Sequence, residues 1–274
     1  LVHQGFMVSE IPVDSNGIFN VSDIPDEKRQ SLTFLSVMMA NNETGVIQNI
    51  SEIANWAREN KIQFHTDAVQ ALGKIKVDFE ALDIDAMTIS SHKIYGPQGI
   101  AALIVNKKID LSPFMQGGGQ EKGLRSGTEN IAAIIGFGKA CERSNQNRVR
   151  FEQNIKLLKL TLEKALIELG AIIFCENSRR LSNTTFFSFK NIDGSTLLTA
   201  LDRKGFAIAS GSACSSNSAE PSHVLLSMGV DLDLAQGALR VSLGVETTEN
   251  EINDFIETLK NEVNRLKQLT AVAA

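Results

Sequence analysis

The sequence contains no run of about eighteen apolar residues, so no part of it is long and apolar enough to cross a bilayer as a helix. Nor is there an excess of positive charge. Its 27 Lys and Arg stand against 32 Asp and Glu, a formal net charge of -5, which argues against a nucleic-acid partner held through phosphates. Cysteine is scarce: Cys141, Cys175 and Cys214 form no C-x-x-C pair and no disulfide-rich pattern, which suits a reducing cytoplasm. The opening at Leu1 lacks the basic and apolar regions of a secretion signal, and the expectation is that the chain starts inside a longer coding unit. Internal repeats and low-complexity tracts are also missing. What remains is 274 residues, 43% of them hydrophobic, with a mean hydropathy near zero. That is the profile of a soluble globular chain able to bury one large core and a second, smaller one.

Along the chain, strand-like and helix-like segments alternate. Phe6 to Val13 reads as an extended run closed by the turn signal Asp14-Ser-Asn-Gly17, and Leu32 to Met39 as a second apolar run without helical spacing. Asn49-Ile-Ser-Glu52 has capping-box form, and Ile50, Ile53, Ala54 and Ala57 line one face of a helix reaching about Asn60. Strands are expected at Ile62 to Thr66, Asp85 to Ile89 and Ile100 to Val105. Strands separated by helices imply a mainly parallel sheet, and ligands of such sheets sit beyond the carboxyl ends of the strands.

Asn42, Asp67 and Lys93 each stand just past such an end. Lys93, in Ser90-Ser-His-Lys-Ile-Tyr-Gly-Pro97, follows a short buried strand and precedes turn chemistry, where a partly desolvated amine could form a Schiff base with a carbonyl compound. Pyridoxal phosphate needs a lysine for its aldehyde and a carboxylate against its pyridine nitrogen, and Lys93 and Asp67 supply both. Gln70 or Asn42 could donate to the ring's phenolate oxygen, while Ser90 and His92 flank the lysine as donors for the phosphate. Taken singly, each has an ordinary structural reading: a surface lysine, loop caps at Asp67 and Asn42, an exposed turn histidine at His92.

Further on, Gln116 to Asn130 is rich in glycine, with Arg125, Ser126 and Thr128 among them, and reads either as an anion-binding loop or as an ordinary long one. A helix is expected from Asn130, and the polar passage Glu142 to Arg150 is the candidate boundary between domains 1–149 and 150–274. A second amphipathic helix runs from about Phe151 to Leu169. The remainder reads as a smaller α/β unit, with strands at Ala171 to Phe174, Thr184 to Phe189, Phe206 to Ala209 and Leu239 to Leu243. A helix is expected at Ser195 to Lys204, and the capping box Thr248-Glu-Asn-Glu251 opens a last one. Within this unit Cys214 lies in a loop of small, hydroxyl-bearing residues, open either to a nucleophilic role or to none. Arg240, between apolar neighbours, calls for a carboxylate or phosphate partner because its charge cannot be lost.

Asn41-Asn-Glu-Thr-Gly45, His65-Thr-Asp-Ala-Val-Gln70, Ser90-Ser-His-Lys-Ile-Tyr-Gly-Pro97, Arg125-Ser-Gly-Thr128 and Ser210-Gly-Ser-Ala-Cys-Ser215 together resemble, in order and spacing, the cysteine desulfurases of iron–sulfur cluster assembly. These belong to the class V aminotransferase group of fold-type I pyridoxal-phosphate enzymes, and the resemblance covers essentially the whole chain. It implies an α/β fold, mainly parallel sheet with helices on both faces, plus a smaller C-terminal α/β domain carrying the cysteine loop. It further implies that Lys93 binds the cofactor's aldehyde, Asp67 pairs with the ring nitrogen, Gln70 contacts the ring oxygen, and Ser90 and His92 hold the phosphate, with His92 also counted among the catalytic residues. Thr128 would reach the phosphate of a partner subunit's site, making a homodimer. Asn42, beside the cofactor, and Arg240 would bind the carboxylate of L-cysteine, and Cys214 would take the sulfur as a persulfide for a scaffold or other acceptor protein. In the family a ring stacked on the cofactor and part of the phosphate-binding turn come from a segment preceding the start of this chain. A selenocysteine lyase or aminotransferase of the same group would keep Lys93 and Asp67 without needing an open Cys214. An inactive truncated form acting as a binding module is the other alternative.

Overall fold

The computed structural model describes residues 2–211 and 220–273. Among these, the elements follow in the order α1 (Asp26–Arg29), β1 (Phe34–Met38), α2 (Ile50–Glu59), β2 (Gln63–Asp67), α3 (Phe79–Leu82), β3 (Ala86–Ser90) and β4 (Ala101–Val105). The long helix α4 (Ile131–Glu168) leads to β5 (Ala171–Ile173), β6 (Thr184–Phe189), α5 (Gly194–Asp202), β7 (Ala209–Ser210), α6 (His223–Ser227), α7 (Leu232–Gln236), β8 (Leu239–Ser242) and α8 (Glu249–Ala273). They belong to two compact units, one made of Ser31–Ala40 and Asn49–Val149, the other of Leu1–Gln30, Asn41–Gln48 and Arg150–Ala274. The second unit thus takes in two N-terminal segments that a single cut after residue 149 would assign to the first.

In the first unit the strands lie in the order β1-β2-β3-β4, the first three parallel and β4 antiparallel to β3. β2 buries Phe64 and Thr66, and β3 buries Met87 and Ile89, so each gives alternate side chains to the core as a pleated strand must. Helix α2 packs on β2 and buries Ile50, Ile53, Ala54 and Ala57, the face expected from the spacing. Its start differs from a capping box: the Asn49 side chain donates to Glu52 at 2.7 Å instead of accepting from a backbone amide.

The second unit holds a four-stranded antiparallel sheet in the order β5-β6-β8-β7. Of its two inner strands, β6 is buried along its whole length. Phe186 joins a cluster with Phe174, Val46 and Leu225, while Phe187 and Phe189 join the larger cluster of Leu162, Leu197 and Leu259. Alternate side chains of one strand therefore feed two cores, one on each face. Helix α8 opens with the expected capping box, Thr248 N donating to Glu251 Oε2 at 2.8 Å and Glu251 N to Thr248 Oγ1 at 3.3 Å.

Three expectations are corrected. Residues 6–13 join no strand, and Phe6, Met7 and Val8 are exposed: a lone apolar run gains nothing from extension without a neighbouring strand to take its hydrogen bonds. The run at 206–209 yields only the two-residue β7. The polar passage Glu142 to Arg150 does not interrupt the helix, and α4 is continuous over 38 residues. The passage from Glu142 to Arg150 contains neither Gly nor Pro, so polarity there marks solvent exposure, not a break.

The second unit also buries charge. Arg180 binds Glu163 through two hydrogen bonds of 2.7 and 3.2 Å, Thr185 Oγ1 donates to the same carboxylate at 2.9 Å, and Lys159 Nζ donates to the Leu181 carbonyl at 2.9 Å while lying 3.7 Å from Glu163. Two cations thus share one buried anion. Burial, then the neighbouring Arg180 charge, pushes the Lys159 amine down to about 8, with Glu163 opposing. Glu163→Gln leaves both cations without their counter-charge, and urea unfolding is expected to show a loss of about 3–5 kcal/mol. The Lys159 value lies below its ordinary 10.5, so its contribution to stability is lowest below about pH 8 and rises toward 10.5 as the folded state gives up the proton first. Lys159→Met is expected to remove that rise; an unchanged pH dependence would show that the amine is not held as described.

Candidate functional site

In the first unit, β2 and β3 run parallel with Asp67 opposite Thr88, so their carboxyl ends finish side by side. Asp67 closes β2 and Ser90 closes β3, and a 3-10 turn at His92–Ile94 carries Lys93 immediately beyond. Asp67 Oδ1 accepts the Val69 amide at 2.8 Å, an Asx-type turn that fixes the carboxylate and leaves its other oxygen for a ligand. Ser90 Oγ lies 2.8 Å from His92 Nδ1, so the hydroxyl and the imidazole form one unit flanking the lysine. Lys93 itself is exposed, not partly desolvated, so its nucleophilicity does not come from burial in this chain alone.

Close packing holds the Lys93 turn. The amides of Ile94 and Gly96 both donate to the Ser91 carbonyl, at 3.0 and 3.1 Å. A Cβ on Gly96 would stand 2.2 Å from Ser91 Oγ and 2.9 Å from Ala140 Cβ, so nothing larger than glycine fits there. Tyr95 is left-handed at φ 65°, a conformation that the surrounding contacts impose on a non-glycine residue.

On β2, two residues before Asp67, His65 is bracketed by hydroxyls: Ser36 Oγ lies 2.8 Å from Nδ1 and Thr88 Oγ1 2.8 Å from Nε2. Phe34 stacks on the ring at 6.4 Å between centroids. Burial holds this imidazole below its ordinary value, with the Asp67 charge opposing, so it stands neutral beside the carboxylate. Gln70 is half-buried three residues past β2, its side-chain oxygen accepting from Lys74 Nζ at 3.0 Å. Thr128 is exposed on the glycine-rich loop of the same unit. Lys93, Asp67, Gln70, Ser90 and His92 offer pyridoxal phosphate an amine, a carboxylate, an amide and two phosphate donors, the complement of groups its ring, aldehyde and phosphate require.

In the second unit, Arg240 on β8 donates from Nη1 to the Asn42 backbone carbonyl at 2.8 Å. Its Nε is buried and makes no hydrogen bond among the described residues, so the guanidinium is only partly satisfied. Glu43, next to Asn42, is buried and accepts a short hydrogen bond from Ser222 Oγ. Burial raises this carboxyl, opposed by the Ser222 hydrogen bond and then by the charges of His223 and Arg240. The same Ser222 Oγ accepts the Leu225 amide at 3.1 Å, capping α6. Sequence reasoning quoted Glu43 inside a motif without giving it a role, because its partner lies 179 residues away. The Gln70–Lys74 pair, four residues apart, does carry a local spacing signal in the sequence. Cys214 lies outside the described residues.

Residues 2–255 match the aminotransferase class-V family model. The chain is 41% identical over 276 residues to a cysteine desulfurase IscS of Clostridium botulinum, covering 98% of this chain and 69% of that protein. Among solved structures, a NifS-like protein from Rickettsia africae superposes with a TM-score of 0.85 at 36% identity, over 93% of this chain and 69% of that one. A structure described as SspA in complex with cysteine superposes with a TM-score of 0.74 at 30% identity, over 90% of this chain and 69% of its own. With Lys93, Asp67 and the Ser90–His92 pair gathered at the ends of adjacent parallel strands, the chain belongs to the class V aminotransferase family, in its cysteine desulfurase branch.

Proposed function

We propose that this chain works as a cysteine desulfurase, with pyridoxal phosphate held at the carboxyl ends of β2 and β3 and L-cysteine as substrate. The observation that carries the reading is the parallel pairing of those strands, which brings Asp67, Ser90, His92 and Lys93 to one edge of one sheet. The 41% identity to a cysteine desulfurase over nearly the whole chain, and the cysteine in the SspA structure, support the substrate.

Bound pyridoxal phosphate supplies an aldehyde to capture the substrate amine and a protonated ring to withdraw electrons from the α-carbon. Lys93 would hold the aldehyde, and its amine would be the base nearest the substrate's α-proton. Asp67, fixed by the Val69 amide, keeps the ring nitrogen protonated. Ser90 and His92 would present donors to the phosphate, and Arg240, with Asn42 beside it, would offer its guanidinium to the substrate carboxylate. The Cys214 thiolate would attack the sulfur of the substrate, the new S–S bond forming as the substrate's Cβ–S bond breaks; Cβ keeps the electron pair and takes a proton, leaving L-alanine and a persulfide on Cys214. Thr128, exposed on its loop, would serve the phosphate site of a second copy in a homodimer. An iron–sulfur scaffold or another sulfur-acceptor protein would take the persulfide sulfur onward, and the scarcity of cysteine fits a cytoplasmic setting.

The test is visible absorbance of the purified protein with pyridoxal phosphate, followed by sulfide and alanine assays on adding L-cysteine with a reductant. Cys214→Ser is expected to keep the cofactor band and bind cysteine but release no sulfide; sustained sulfide release from that variant would remove Cys214 from the mechanism. Arg240→Gln is expected to raise KM for cysteine about 10- to 100-fold, the loss of roughly one to two charge-assisted hydrogen bonds, with a smaller change in kcat. A kcat loss at unchanged KM would assign Arg240 elsewhere.

A further inference from the structure

Gln70 is a cofactor contact whose chemistry depends on which way round it faces. Its amide carries an acceptor oxygen on one side and two N–H donors on the other. Only the donors suit the ring oxygen of pyridoxal phosphate, which is anionic when the cofactor is bound through a lysine. A glutamine free to rotate would present either end.

In this structure it is not free to rotate. Lys74 Nζ donates to the Gln70 backbone carbonyl at 2.9 Å and to Gln70 Oε1 at 3.0 Å, closing a clamp across one helical turn. An ammonium group has donors and no acceptor, so the oxygen of Gln70 must face Lys74 and Nε2 must point away from it. The clamp is itself rigidly seated. The amides of Ala71 and Leu72 bond the Ala68 carbonyl, and those of Lys74 and Ile75 the Ala71 carbonyl, all within 2.9–3.0 Å. Gly73, at φ 74°, lets the turn press against the residue after Lys93: a Cβ there would stand 2.9 Å from Ile94 Cγ2 and 3.0 Å from Ser144 Cβ. The turn carrying Gln70 and Lys74 is therefore packed directly on the turn carrying Lys93.

We propose that Lys74 is a positioning residue for the cofactor site, holding Gln70 by its oxygen so that the amide can only donate toward the ring oxygen of pyridoxal phosphate. The inference rests on the reading of Gln70 as the ring-oxygen contact. A donor to that oxygen stabilises its anion and lowers the pH at which the bound cofactor loses its shared proton. Losing the fixed donor raises that pH.

The experiment is a pH titration of the visible absorbance of the protein loaded with pyridoxal phosphate. Lys74→Met is expected to raise the midpoint by about one pH unit, the scale of one hydrogen bond to a charged group. Lys74→Arg, which keeps donors and charge, returns it close to the parent value. In a Gln70→Ala background, Lys74→Met shifts nothing further. An unchanged midpoint in Lys74→Met overturns the proposal, and so does an equal shift in the Gln70→Ala background, which would mark Lys74 as a charge acting through space. Where Lys74→Met does not load, Gln70→Glu gives the second measure: Lys74 holds one carboxylate oxygen, the other opposes the ring oxygen, and the midpoint rises above that of Gln70→Ala. A Gln70→Glu midpoint at or below Gln70→Ala overturns the orientation argument. If no band depends on Lys93, or Gln70→Ala itself leaves the midpoint unmoved, the site reading fails first and takes the inference with it.

Discussion

The parallel register of β2 and β3 is the constraint on which the candidate site depends. Two strands running the same way end at the same edge, so residues that finish them are brought together without any direct bond between them. Asp67 and Ser90 hold those terminal places, and the 3-10 turn after Ser90 adds His92 and Lys93. A slip of one residue in this pairing would carry Asp67 to the other face of the sheet. The buried Phe64, Met87 and Ile89 oppose such a slip, because each would have to leave the core. Hydrophobic packing thereby sets the position of a carboxylate that itself contributes little to the core.

Polar groups in the first unit are held by contacts close in sequence, those in the second by contacts between distant segments. Asp67 is fixed by the Val69 amide, Gln70 by Lys74, and the Lys93 turn by a glycine that leaves room for Ser91. In the second unit the buried Glu43 carboxylate meets Ser222, and the buried Glu163 carboxylate meets Arg180 and Thr185. The segment 179–181 ties back to the loop carrying Asn42: Leu181 N donates to the Gly45 carbonyl at 2.8 Å and Ile47 N to the Arg179 carbonyl at 2.9 Å. The charged network on α4 therefore supports the loop to which Asn42 belongs.

Much of this was legible in the sequence where a local signal carried it. The strand from Thr184 to Phe189 and the start of α8 fall where apolar runs and a capping box placed them, since both depend on neighbours in the chain. The residues past the ends of β2 and β3 were legible for the same reason. Failures occurred where tertiary context decides. Residues 6–13 have strand composition but join no strand, and Glu142 to Arg150 has loop composition but an uninterrupted helical backbone. The Glu43–Ser222 and Arg240–Asn42 contacts span 179 and 198 residues, distances over which sequence gives no pairing signal.

The candidate site requires Lys93 to be the lysine that carries the cofactor. Reducing the pyridoxal-phosphate-loaded protein with borohydride and mapping the modified peptide by mass spectrometry tests this directly. The prediction is one phosphopyridoxyl group per chain, on Lys93, with the visible band lost in the same step. Labelling at another lysine, or scattered across several, would contradict the site described at the ends of β2 and β3.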